Sequence, residues 1–257
     1  MDYKIITQNN MRYIMVPELT QLGLNHCFTT RDMDMGIRTN PSTQDIKNNL
    51  AHIYKTLEIS PRVLFCGVQT HSKNILSVLD INQGEVNEIG QFSQEIDGLV
   101  TNREDVALMT TYADCTPIIL FDPVKKVHGN VHSGWKGTLQ KIGQQGVQKM
   151  IEDYGCNTRD LVAIIGPSIG KDDFEVEKDV MSQFQATFEF HQEIIVKKDD
   201  VKYLIDIQET NKRILLQSGI EESHITTIDL STKSNPMFHS YRRDGNEFGL
   251  MGCITCL

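Results

Sequence analysis

The chain is short of positive charge. Its 257 residues hold 25 Lys and Arg against 34 Asp and Glu, a formal net charge of −9. Phosphate backbones are bound mainly by clustered Lys and Arg, so nucleic acid is not an expected partner. A local pocket can be positive on an acidic protein, so a small phosphate-bearing substrate stays admissible. No apolar run approaches the roughly 18 residues of a membrane span, and no membrane association is expected. The stretch MDYKIITQNN lacks a basic segment followed by an apolar core. No secretory signal is therefore expected, and the expected location is cytoplasmic. Cysteine is sparse: six residues, at 27, 66, 115, 156, 253 and 256. Scattered like this, they make no disulfide framework, and any that does chemistry acts as a thiolate. There is no linker, low-complexity tract or internal repeat, so residues 1–257 read as a single domain. There is also no Gly-x-Gly-x-x-Gly after the first strand and no Walker-type loop, which removes the two common nucleotide-cofactor folds.

What is present is an irregular succession of strands and helices. YKIITQ and RYIMVP read as two strands joined at Asn9-Asn10. STQDIKNNLAHIYKTLEI has apolar residues at 46, 50, 53, 54 and 57, a helical spacing, with a start signal at Pro41 and Ser42 or Thr43. LNHCFTTR, RVLFCGVQT, ILSVL, DGLVTN, VALMTTYA, TPIILFD and VHGNVH read as strands. GTLQKIGQQGVQKMIEDYG reads as one helix stopped by Gly155. LVAIIGPSIG and HITTIDL read as further strands, and EKDVMSQFQATF and IDIQETNKRILLQSGI as helices. Several strands follow one another directly, which favours α+β over a regular βαβ repeat.

Three polar residues share one structural address. His71 ends a strand in VQTHS, Cys115 lies in YADCTP beside an apolar run, and His132 ends VHGNVH. Function concentrates where rigid strands meet turns. The intervals between the three are too long for a zinc-finger knuckle, so only the fold could bring them together. Two neutral imidazoles and a thiolate would give Zn²⁺ three ligands, with a fourth position open, as in catalytic zinc sites. Taken singly, His71 and His132 read more readily as hydrogen-bonded structural residues and Cys115 as an inert buried thiol.

The segments FTTR, QTH, DGLVT, ADCTPIILFD, HGNVHSGWKGT, IGPSIG followed by FEV, and HSYRRDG occur in one family's order. From about residue 22 to residue 249 the chain resembles the bacterial YfiH-like family, formerly described as multicopper polyphenol oxidases or laccase-domain proteins. The resemblance implies a zinc-dependent purine nucleoside phosphorylase with adenosine deaminase activity. Its substrates would be adenosine, inosine, guanosine and methylthioadenosine, with phosphate as nucleophile. It implies one catalytic domain, a four-layer α/β/β/α sandwich with mixed sheets, and His71, Cys115 and His132 as zinc ligands and catalytic centre. Three departures stand out. Asp172 and Asp173 replace two usual cysteines, Ser231-Thr232 replaces a usual Cys-Thr, and TTRDMDMG replaces a glycine-rich loop.

Arg31, Gln69 and Lys136 are the candidate substrate residues. A guanidinium matches phosphate geometry, which favours Arg31. Gln69 shares a strand face with His71. Lys136 lies at a helix start, where free amides can hold an anion. Arg242 and Arg243 are a second anion candidate, and Asp114 a candidate for orienting a histidine. Trp135 reads as a core anchor, and His26 and His128 read as structural. The competing reading is a cysteine hydrolase or deamidase, with Cys115 as nucleophile and His132 as base, needing no metal.

Overall fold

Most of the central strands are near-continuous buried runs, as strands covered on both faces are, and each sends alternate side chains to different layers. In the computed structural model, which describes residues 1–257, these strands form two large sheets. The first runs Lys4–Gln8, Met11–Met15, Asn25–Thr29, Met251–Cys256, Val106–Tyr112, Val63–Gly67, Gln91–Ser93, Glu85–Val86. The second runs Ile225–Thr227, Val162–Ile165, Thr116–Asp122, Val127–Ser133, Gly98–Thr101, Ile75–Ser77. Both sheets mix parallel and antiparallel pairs.

Between the sheets lies a layer containing Phe28, Tyr112, Ile119, Phe121, Ile164 and Met251. On the outer face of the first sheet, the helix Thr43–Leu57 buries Ile46, Leu50, Ile53 and Leu57 against Cys27, Leu64, Met109 and Ile254. Ser42 caps it by accepting a hydrogen bond from the Asp45 amide, as its sequence signal predicts. On the outer face of the second sheet lie Ile142–Tyr154 and Ile207–Gln217, which bury Ile142, Val147, Met150 and Leu215 against Val100, Ile118 and Val131. The order of layers is therefore helix, sheet, sheet, helix. This is the expected α+β sandwich in a single-domain arrangement.

Besides short added elements such as Pro17–Gln21, Glu85–Val86 and Gln91–Ser93, two larger details differ from the sequence reading. The segment after Gly134 forms two helices, Trp135–Leu139 and Ile142–Tyr154, because Lys141 is left-handed (φ 56°) and breaks the hydrogen-bond run. A third, three-stranded sheet (Glu175–Glu177, Lys202–Ile205, Ile195–Lys197) was not anticipated. With the helix Lys178–Thr187 it encloses its own core around Phe174, Phe184, Phe188 and Ile205.

Candidate metal centre and cleft

The strand Val127–Ser133 explains why His132 points where it does. Val127 and Val131 face the helix Ile142–Tyr154. The alternate residues face the first sheet, where His128 Nδ1 lies 2.9 Å from Thr255 Oγ1 and Asn130 pairs with Thr110 Oγ1 and with the Leu108 and Cys253 carbonyls. His132 is the last of this row. His71, Cys115 and His132 come together, their ligand atoms all within 4.8 Å of one another. His71 Nε2 is 3.6 Å from Cys115 Sγ, and the two imidazole centroids are 5.1 Å apart at 66°. His71 is exposed, Cys115 half-buried and His132 buried, so the group is open on one side only.

These donors fit a tetrahedral ion. Zinc–sulfur and zinc–nitrogen bonds near 2.3 and 2.05 Å at a tetrahedral angle put the two ligand atoms about 3.6 Å apart. One further residue organises the group. Asp97 is fully buried, and its Oδ1 lies 2.9 Å from His132 Nδ1. A carboxylate accepts here, so Nδ1 carries the proton and Nε2 is left for a metal. Oδ1 also accepts from the His71 amide, and Oδ2 from the amides of Thr70 and Ser72 and from the Ser72 hydroxyl. Burial opposes the charge on Asp97, but the bonds from His132 and Ser72 hold its carboxyl well below the usual range. Burial likewise opposes ionisation of Cys115, yet His132 and then His71 draw the thiol down to about 6. Burial works against protonation of His132, and the Cys115 thiolate and Asp97 outweigh it and raise the imidazole.

The other expected residues fall differently. Gln69 lines the cleft, but its amide is engaged by backbone: Nε2 donates to the Thr111 carbonyl (2.7 Å) and Oε1 accepts from the Thr111 amide (2.8 Å). Asp114 orients no histidine. It accepts from Thr232 Oγ1, Ser240 Oγ and the Arg242 amide, pinning the corner before Cys115, where its own φ is 81°. Arg31 and Lys136 are exposed and do not line the cleft. Lys136 Nζ lies 5.5 Å from the Trp135 ring centroid. Arg243 is tied to Asp244 and to the Thr232 and Phe238 carbonyls. Asp173 and Ser231, two of the departures from the family pattern, meet each other: the Ser231 hydroxyl donates to the Asp173 carboxylate.

The cluster opens into a cleft of about 690 Å³, a size that suits a small organic ligand. Its walls include Met35, Phe92, Trp135, Phe174, Tyr241 and Phe248, with two cations, Arg38 and Arg242. Arg242 has no carboxylate partner. Its Nη1 donates to the Glu175 carbonyl and its guanidinium lies 5.6 Å from the Phe174 ring centroid. Sequence reasoning missed these walls because they come from loops and short elements far apart in the chain, where periodicity carries no signal. It missed Asp97 because DGLVT reads simply as a strand.

Fold and cleft together define a class: a two-sheet α+β protein with a three-donor His/Cys/His group, suited to one metal ion, at the base of a largely apolar cleft. Residues 24–257 match the family described as multi-copper polyphenol oxidoreductase laccase, and the chain belongs to that family. It is 31% identical over 221 residues to purine nucleoside phosphorylase YlmD of Bacillus subtilis strain 168, covering 85% of this chain and 80% of that protein. It is 36% identical over 161 residues to purine nucleoside phosphorylase LACC1 of Mus musculus, covering 61% of this chain but only 37% of that longer protein. The crystal structure of the Bacillus licheniformis hypothetical protein YfiH superposes with a TM-score of 0.87 at 26% identity, covering 97% of this chain and all of that one. No helix here is long and apolar enough to cross a membrane.

Proposed function

We propose that residues 1–257 form one catalytic domain, a zinc-dependent purine nucleoside phosphorylase. It would cleave adenosine, inosine, guanosine and methylthioadenosine with phosphate, and also deaminate adenosine. The observation that carries this reading is the convergence of His71, Cys115 and His132 at the base of a cleft walled by aromatic side chains. The names of the relatives support the reaction class. The donor count supports one zinc rather than a copper cluster, which would need many more imidazoles.

His71, Cys115 and His132 would hold the zinc, which would supply Lewis acidity and a more acidic water for deamination at C6 of adenine. The protein's own groups do the rest. One thiolate and two neutral imidazoles leave the centre with a net charge of about +1, which draws an anion without trapping it. Aromatic walls offer faces for a purine ring. Arg242, lacking a carboxylate partner, is a cleft cation whose donors beyond the Nη1 bond to the Glu175 carbonyl are left for phosphate. It takes the role that the sequence alone suggested for Arg31.

Metal analysis and phosphate-dependent release of adenine or hypoxanthine test the proposal. One zinc per chain is expected, lost in Cys115→Ala together with both activities. Arg242→Ala is expected to raise KM for phosphate more than for nucleoside, with Arg31→Ala near wild type. Phosphorolysis at the wild-type rate by zinc-free Cys115→Ala protein would sink the zinc reading. One observation favours a second reading: Cys115, His132 and Asp97 also stand as nucleophile, base and orienting acid. A metal-free, active enzyme silenced by a thiol electrophile would support that cysteine hydrolase or deamidase instead.

A further inference from the structure

His71 and His132 arrive at Cys115 from different parts of the chain, and both are held by the same side chain. The strand Val127–Ser133 brings His132, whose backbone amide donates to the Asp97 carbonyl (2.7 Å) and whose Nδ1 donates to Asp97 Oδ1 (2.9 Å). His71 sits in a loop at φ 61°, a left-handed conformation uncommon outside glycine, though histidine adopts it more readily than most residues. The loop keeps that shape because three successive amides, those of Thr70 (3.1 Å), His71 (3.0 Å) and Ser72 (2.8 Å), donate to the Asp97 carboxylate, joined by the Ser72 hydroxyl (2.7 Å). Asp97 is itself anchored, its amide donating to the Asn74 carbonyl. The carboxylate is buried and hydrogen-bonds both histidine segments but not Cys115, so its influence on the group passes through the two histidines.

We propose that Asp97 is the positioning residue of the metal centre. One carboxylate fixes the tautomer and aim of His132 and the left-handed backbone of His71, so that both imidazoles present Nε2 to the ion beside Cys115. The inference rests on the metal reading above. Outer-sphere partners of this kind govern ligand orientation, and their loss costs metal affinity without removing a ligand.

Asparagine at 97 keeps the size but turns one acceptor oxygen into a donor, so it cannot keep both the Oδ1 set (the His71 amide and His132 Nδ1) and the Oδ2 set (the Thr70 and Ser72 amides and the Ser72 hydroxyl). Zinc affinity, measured by competition with a chromophoric chelator and normalised to folded protein, is expected to fall roughly ten- to hundredfold in Asp97→Asn. Ser72→Ala removes one donor from Oδ2 and leaves the contact to His132 untouched, so its loss is expected to be smaller. In cobalt-substituted Asp97→Asn protein, the thiolate-to-metal charge-transfer band is expected to shift. A purely structural role would lower stability and leave affinity and spectrum unchanged. Folded Asp97→Asn with wild-type affinity and spectrum overturns the inference alone. Wild-type protein that takes up no zinc overturns the metal reading and the inference together. Should Asp97→Asn fail to fold, nitrogen NMR of histidine-labelled wild-type holoprotein decides. A protonated, slowly exchanging Nδ1 on His132 is expected, and a protonated Nε2 overturns the proposal.

Discussion

Gly134 shows how tightly the centre is built. Its backbone is ordinary (φ −71°, ψ 171°), so it is not there to make a turn that only glycine allows. Its role is close approach. A Cβ at this position would stand 3.1 Å from Cys115 Sγ and 3.2 Å from His71 Nε2, and nearer still to His71 Cδ2. An alanine must therefore push the His71 ring aside. Gly134→Ala is expected to fold with near-normal stability but to bind zinc roughly tenfold more weakly or worse, checked by chelator competition. The glycines of HSGWKGT invite a reading as sharp-turn residues, and for Gly134 the torsions correct it. The three donors could be singled out in the sequence because each stands near an apolar strand, although His71 lies in the loop beyond Val63–Gly67 and not at the strand end the sequence suggested. Asp97 could not, because its partners Thr70, His71, Ser72 and His132 are all distant in sequence. The signal available was an acidic residue opening the apolar strand GLVT, at a place where burial without partners would be costly.

At the scale of elements, the strand Val127–Ser133 carries the most information. Its alternation was legible. The destination of its polar row, the seam between two sheets, was not, because period two does not say what lies opposite. His128 in this row and His26 on the neighbouring sheet are buried as neutral rings. Burial pushes His128 down to about 3 and, against a bond to the Leu24 carbonyl, His26 down to about 4. An unfolded histidine takes its proton near pH 6.5, while these two resist it in the fold. Their stabilising contribution is thus complete above about pH 6.5 and is lost as pH falls toward 4 and 3. With two protons taken up on unfolding, stability should drop by about 2.7 kcal/mol per pH unit across pH 6 to 4.5. Urea titrations at several pH values measure this directly, and a flat profile there would contradict neutral burial. The same scale holds the two misread elements. Lys141 interrupts a run of good helix formers through its torsion, which composition hides. The sheet built on FEVE, IVK and KYLI is short and rich in Glu and Lys, so its strands look like exposed loop.

For the whole molecule, the cleft draws its walls from segments scattered between Met35 and Leu250, and the metal group is assembled only in the folded state. Ion binding then adds to folding stability, by about 2.7 kcal/mol at a free zinc concentration a hundred times Kd. Chelation is expected to lower Tm by roughly 5–10 °C for a chain of this size. Cys115→Ala should melt at one temperature with or without chelator, and a chelator-sensitive melt in that variant would refute the assignment. The strand Met251–Cys256 carries a consequence of another kind. It lies between Asn25–Thr29 and Val106–Tyr112, with Cys253 opposite Phe28 on one side and Thr110 on the other. During synthesis those two strands emerge long before their shared neighbour. At ribosomal speeds the interval is on the order of ten seconds. Two apolar strand edges wait open through that interval, in the state most prone to misassociation. The hairpin Lys4–Met15 cannot shield the gap, because it pairs with the opposite edge of Asn25–Thr29, so the two inner edges stay unpaired until Met251–Cys256 arrives.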